Sequence, residues 1–296
     1  MDDDLVLLEV KGGVAVITLN LPNVHNVMGE AVDALFFRYL ELLRTDRDVR
    51  VVVWRGNGPS FSMGRDLGEV TGDADGDAST GGAATGGAAA AGRTGDVPAH
   101  SRGGHVAAGA FGVSTFEALE RGHWATRLLY EFPVPIICAL KGWSLGTSLE
   151  RALLCDIRVA GEDARLALPG ADHGVIPDAA GVAKLYEIGG ASLALDLALT
   201  GRRIDAYEAL RLGVVSQVVP DDELDDVVLE MALGIAEQPP LVVRLVREHV
   251  QALAVPGVRG TLGRELVGQT MVLASHDHDE QRTARAQDRD PRYERR

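Results

Sequence analysis

The sequence predicts an α/β fold in which a mainly parallel sheet is followed by a largely helical C-terminal region. Short β-branched apolar runs alternate with amphipathic stretches up to about residue 160, a pattern that implies right-handed crossovers between parallel strands. From Ala180 onward helical patterns dominate, interrupted by one apolar run at Val214–Val219. The 296 residues are 46% hydrophobic, enough to bury a sizeable core and to exclude a disordered chain.

The elements follow in order. Leu5–Val10 and Val14–Leu19 flank Lys11-Gly12-Gly13 and read as a strand pair joined by a tight turn. A helix over Glu30–Arg44 places Val32, Leu35, Phe36, Leu40 and Leu43 on one side. Val49–Trp54 has the β-branched apolar character of a strand buried on both faces. After a compositionally distinct segment come a helix over Phe116–Tyr130, a strand at Val134–Leu140, a helix over Thr147–Leu154 and a strand at Asp156–Ala160. His123 and Trp124 are expected in the core. No solenoid-type repeat is present.

The distinct segment runs over 71–113, where 24 residues are Gly or Ala. Such a composition buries too little apolar surface to offset backbone entropy, so it is expected to be a flexible surface insertion. Elsewhere, a formal charge of −14 with no basic run of five or more residues argues against a nucleic-acid surface. Met1-Asp2-Asp3-Asp4 lacks the pattern of a secretory signal, and no apolar run reaches the roughly 18 residues that span a bilayer. A cytoplasmic protein without membrane or nucleic-acid partners is the expectation. Cys138 and Cys155 sit in apolar stretches with neither zinc nor dithiol spacing, and no metal site is expected. His276-Asp277-His278-Asp279-Glu280 reads as a solvated charged turn.

Two loops of small residues, each between a strand and a helix, carry the chemistry. Gly142-Trp143-Ser144-Leu145-Gly146 fits the Gly-x-Ser-x-Gly elbow of serine hydrolases, and Ser144, Asp221 and His249 follow the order of such a triad. The same stretch continues through Thr147-Ser148-Leu149-Glu150, and Ser60-Phe61-Ser62-Met63-Gly64-Arg65-Asp66-Leu67 is its earlier counterpart. Unpaired backbone N–H groups at two such loops would stabilise an enolate oxyanion. Glu150, one helical turn past Thr147, would then face the same side. Asp66 and Asp178 can also be read as helix caps or loop braces.

With Pro22-Asn23-Val24-His25-Asn26, Leu199-Thr200-Gly201-Arg202-Arg203-Ile204 and Ala209-Leu210-Arg211-Leu212-Gly213-Val214-Val215 in the same order, the chain resembles the crotonase superfamily, the enoyl-CoA hydratases and isomerases, from Leu5 to about Tyr293 apart from the insertion. The resemblance implies a crotonase-like spiral of ββα turns over 1–200, with 201–296 a helical region for trimerisation and active-site closure. It also implies a homotrimer or hexamer acting on an acyl-CoA, with coenzyme A as part of the substrate and no separate cofactor. The oxyanion donors map onto the N–H groups of Arg65 and Thr147, and substrate-binding positions onto His25, Met63, Gly64, Asp66, Leu67 and Gly146.

Catalytic roles map onto Glu150 and Asp178. Hydratases of this family carry a second glutamate where Gly170 stands, which disfavours two-glutamate hydration. Asp178 stands where dienoyl-CoA isomerases carry a catalytic aspartate and 4-chlorobenzoyl-CoA dehalogenases a nucleophilic one, so double-bond isomerisation is favoured. Arg285 and Asp288, with Arg289 and Tyr293 nearby, occupy the positions of a C-terminal Phe and Lys near the CoA nucleotide. Alternatives are a serine hydrolase using Ser144, a non-catalytic binding module and a family-type C–C hydrolase of a non-CoA diketone. Deletion of Gly72–Gly109 is expected to leave folding and assembly intact, with unchanged melting and sedimentation. An insoluble or monomeric variant would show that the segment is structural.

Overall fold

In a computed structural model of the chain, the structure describes residues 4–65 and 113–293. The expected insertion lies outside the described residues, apart from Val113, which opens a helix. β1 (Val6–Lys11) and β2 (Val14–Leu19) pair antiparallel, with Lys11 opposite Val14. Gly12 and Gly13 both have positive φ, as a two-residue turn between twisted strands requires. β3 (Val51–Gly56), β4 (Ile136–Leu140), β6 (Ile157–Gly161) and β9 (Gln217–Val219) then add in parallel, giving the order β1-β2-β3-β4-β6-β9. A second sheet joins β5 (Trp143–Leu145), β7 (Arg165–Ala167) and β8 (Ile204–Asp205). Bridges at Ser62↔Ser144 and Met28↔Arg65 carry this second layer to the earlier loops. Each turn of the chain thus sends a long strand to one sheet and a short segment to the other.

The inner strands β2, β3 and β4 of the large sheet are buried on both faces. Val51, Val53, Ile137, Ala139 and Val159 cluster with Leu224, Val228 and Ala232 of α6 (Leu224–Ala236). The opposite face, with Val52, Trp54 and Cys138, packs on α1 (Glu30–Thr45), α2 (Val113–Tyr130), α3 (Thr147–Leu154) and α4 (Gly181–Thr200). The sheets continue past the expected boundary at residue 200. β8 follows α4 directly, and β9 follows α5 (Ala206–Arg211), so the spiral closes only at Val219. The remainder is helical: α6, the long α7 (Pro240–Leu273) and α8 (His276–Ala286). No helix among the described residues is long and apolar enough to cross a membrane.

All eight residues of α3 are buried, including the adjacent charges Glu150 and Arg151. Arg151 donates to both carboxylate oxygens of Asp33 on α1, at 2.6 and 2.9 Å, and stacks 5.0 Å over the Phe37 ring. Just past the C-terminal end of α3, Arg247 of α7 bonds Asp156 at 2.7 Å and donates to the carbonyls of Tyr130 and Phe132. These contacts hold α7 against the end of α2. Asp33→Ala is expected to cost about 3–5 kcal/mol by leaving the buried Arg151 charge unpaired. Urea unfolding measures this, and the double change Asp33→Leu/Arg151→Met is expected to recover most of the loss.

Candidate functional site

Gly64 and Gly146 let the two small-residue loops meet. Gly64 has φ +86°, and a Cβ there would lie 2.4 Å from the Leu145 carbonyl oxygen and 3.4 Å from the Thr147 nitrogen. Gly146, φ +52°, turns the chain from β5 into α3. Ser62 Oγ accepts from the Gly64 N–H at 3.0 Å, while Ser148 Oγ donates to the Ser62 and Leu145 carbonyls at 3.0 and 2.8 Å. Among the described residues, neither the Arg65 nor the Thr147 N–H donates to a loop or turn carbonyl. Thr147 is the first residue of α3, where the N–H has no partner within the helix. Both residues line one cavity with Met63, Gly146, Glu150 and Asp178.

Glu150 enters that cavity from α3 and is 2% exposed. Its Oε2 accepts from the Ala179 N–H at 2.9 Å and the Gly181 N–H at 3.2 Å, at the start of α4. Glycine at 181 is required, because a Cβ would sit 2.4 Å from Glu150 Cγ. Burial, reinforced by Asp178, lifts the Glu150 carboxyl to about 7 despite those amides and Arg65. Asp178, 3% exposed, pairs through Oδ2 with the Arg65 guanidinium at 3.3 Å. Arg65 thus presents its N–H at one wall while its side chain reaches the second acid.

Gly170 also lines the cavity, and the loop that follows occupies the space beside it. A Cβ at 170 would stand 2.8 Å from the Val175 carbonyl oxygen. His25 does not line the cavity: it sits at φ 51°, its Nδ1 lies 2.9 Å from Ser60 Oγ, and its carbonyl accepts from the Met63 N–H. Asp66 and Leu67 lie outside the described residues. Of the C-terminal residues, Arg285 reaches the cavity and donates to the Asp172 carbonyl at 3.0 Å. Arg289 instead pairs with Glu280, and the Tyr293 hydroxyl bonds Gln281. Asp288 turns the chain at φ 50°.

Three expectations change. Ser144 is fully buried within β5 and its Oγ has no hydrogen-bond partner, because the sharp turn falls at Gly146 rather than at the serine. His249 lies on the exposed side of α7, and no hydrogen bond or ion pair links it with Ser144 or Asp221 among the described residues. His276–Glu280 is not a solvated turn: Ser275 caps α8, and His278 is 3% exposed with Nδ1 2.8 Å from the Gly174 carbonyl. No metal-binding group of His, Cys, Asp or Glu occurs among the described residues. Trp124 is 57% exposed rather than core, since it faces away from the sheet.

The structure adds contacts that the sequence does not show. His123 is buried as expected, with Nε2 4.0 Å from Asp178 Oδ2, and burial lowers its proton affinity. Gln269 of α7 accepts from the Ile176 N–H at 2.9 Å. Glu265, one turn earlier, accepts from the Ala180 N–H at 2.9 Å and is lifted to about 8 by burial and by Glu150. His173 is pushed down to about 4 by burial and by Arg285. Leu262, Glu265, Gln269 and Leu273 form one buried stripe at helical spacing, so polar residues at core positions of α7 were the available signal.

Two small-residue loops thus bring the amides of Arg65 and Thr147 to one cavity beside a buried acid. The enoyl-CoA hydratase/isomerase family profile matches residues 9–109 and 115–296, and the chain belongs to that family. It is 29% identical over 280 residues to the 2,3-dehydroadipyl-CoA hydratase of Escherichia coli K12, spanning 95% of this chain and 94% of the relative. A probable mitochondrial enoyl-CoA hydratase of Dictyostelium discoideum is 30% identical, over 82% of this chain and 74% of its own. The crystal structure of an enoyl-CoA hydratase/isomerase from Pseudoalteromonas atlantica superposes with a TM-score of 0.76 at 25% identity, covering 98% and 99% of the two chains. The expected crotonase-type α/β spiral with a helical C-terminal region is therefore the fold observed.

The raised carboxyls have a thermodynamic consequence. Glu150 and Glu265 bind protons more tightly folded than unfolded, so their contribution to stability is full below their ordinary value of 4.5 and is lost as pH rises through about 7 and then about 8. Urea unfolding from about pH 5 to about pH 9 is expected to show that decline, and Glu150→Gln to remove its earlier step. A flat wild-type profile would contradict the burial argument.

Proposed function

We propose that the protein moves protons on an acyl-CoA thioester, holding the enolate oxygen between the N–H groups of Arg65 and Thr147, and that it migrates a double bond in preference to hydrating one. The thioester carbonyl would accept both hydrogen bonds, which strengthen as negative charge develops on its oxygen. Glu150 Oε2 is occupied by two amides, leaving its second oxygen for proton transfer. A carboxyl at about 7 can both take and return a proton near neutrality. Asp178 is the proposed partner at the more distant carbon: one acid removes a proton, the electron pair shifts through the dienolate, and the other returns a proton. Substrate carries coenzyme A, and no separate cofactor is needed.

The observation that carries the preference is Gly170. Hydration in this family positions a water between two glutamates, and here the second position has neither a side chain nor space for one beside the Val175 carbonyl. Hydration by Glu150 with one acidic partner is the second reading, favoured by relatives named as hydratases. The proposed assembly is a trimer or a pair of trimers, on the family resemblance.

Side-by-side assays of hydration and double-bond migration on enoyl-CoA and dienoyl-CoA thioesters test this. Migration is expected to exceed hydration. Asp178→Asn is expected to lose about 100-fold in migration while retaining exchange of the α-proton with deuterium oxide, and Glu150→Gln to lose both. Fast hydration of a simple 2-enoyl-CoA by the wild type, or full migration by Asp178→Asn, would refute the preferred reading.

A further inference from the structure

We infer that Glu265 is a positioning residue for Glu150: by holding the Ala180 N–H, it locks the left-handed turn that aims the amides on either side at the Glu150 carboxylate. The inference rests on the proposed role of Glu150 for its catalytic consequence, but not for its geometry. Ala180 has φ 62° and ψ 11°, a left-handed conformation that favours glycine and strains an alanine. It persists at the head of α4 because the three consecutive N–H groups there are claimed from two directions. Ala179 and Gly181 donate to Glu150 Oε2 at 2.9 and 3.2 Å, while Ala180, between them, donates to Glu265 Oε2 at 2.9 Å. With Ala180 in the ordinary right-handed region, its neighbours' amides would not converge on one oxygen.

Three features show that Glu265 is held for this purpose rather than as surface charge. It is 7% exposed, on the inward stripe of α7. Its Oε1 is buried without a hydrogen-bond partner, an arrangement that an ionised carboxylate would not tolerate but a neutral acid does at lower cost. The charged groups facing it are Glu150 from α3 and Asp178 from the loop before α4, both acids, with Arg65 engaged by Asp178 and His123 buried beyond it. Burial and those neighbours keep it protonated to about 8. Glu265 thus supplies a neutral acceptor to Ala180 without adding a third negative charge.

The test reads Glu150 itself, by infrared titration of carboxyl-labelled glutamate assigned with Glu150→Gln, alongside kcat and KM. Glu265→Gln keeps a neutral acceptor and is expected to hold kcat within about 3-fold, with Glu150 titrating as in the wild type. Glu265→Met removes the acceptor: kcat is expected to fall about 10-fold to 100-fold at nearly constant KM, and Glu150 to titrate at higher pH as its amides drift away. Adding Ala180→Gly to Glu265→Met is expected to restore both, because glycine holds the left-handed turn unaided. If the methionine variant does not fold, Glu265→Asp, too short to reach Ala180, is expected to show the same upward shift. An unchanged Glu150 titration in a folded Met or Asp variant would overturn the inference, as would a Gln variant shifted as far as the Met variant. A shifted titration in an enzyme whose turnover survives Glu150→Gln would leave the inference standing and sink the proposed role of Glu150.

Discussion

The structure is organised around an eight-residue helix that buries two opposite charges side by side. Desolvating either charge alone would cost several kcal/mol, so each must find its counterpart in a different element. Arg151 reaches back to Asp33 on α1, and Glu150 reaches forward to the amides that open α4. Because the two residues are adjacent, those demands point in different directions from one short helix. The positions of α1 and α4 relative to the central helix follow from them, as does the requirement for glycine at 181.

The same helix brings the chemistry to its place. Its N-terminus follows a glycine turn, its first amide faces the Gly64–Arg65 loop, and its fourth residue carries the buried acid into the common cavity. Burial and hydrogen bonding act against each other on Glu150. Loss of water raises its proton affinity, the α4 amides and Arg65 lower it, and the balance falls near neutrality. Asp178 faces the same cavity but pairs directly with the Arg65 guanidinium. The two carboxyls of the cavity therefore sit in different electrostatic surroundings.

The C-terminal helices complete this environment from behind. α7 supplies Glu265 to Ala180 and Gln269 to Ile176, and α8 caps the turn at Gly174 with His278. These contacts pin the loop from Gly170 to Ala180, the one that fills the space beside Gly170 and presents Asp178. A segment far along the chain thus sets the wall of a cavity whose acids, Glu150 and Asp178, come from the central part.

Sequence alone determined the elements whose side chains repeat over enough residues to show a period: the β1–β2 hairpin, α1, β3, β4, α3 and the parallel arrangement. The two small-residue loops and Glu150, one turn past Thr147, are local patterns, whereas Arg65 and Thr147 as donors and Asp178 as a second acid came from the family resemblance. The two- and three-residue strands of the second sheet were not legible, since so short a segment has no measurable alternation. Nor were the contacts of Glu265, His123 and Gln269 at the cavity, since the meaning of an isolated polar residue depends on what packs over it. Only the tertiary structure decided that Ser144 is enclosed in a strand, that His278 is buried, and that Glu150 and Glu265 share the amides of one turn. Burial and the direction of a hydrogen bond are properties of neighbours distant in the chain, and neighbours exist only once the chain has folded.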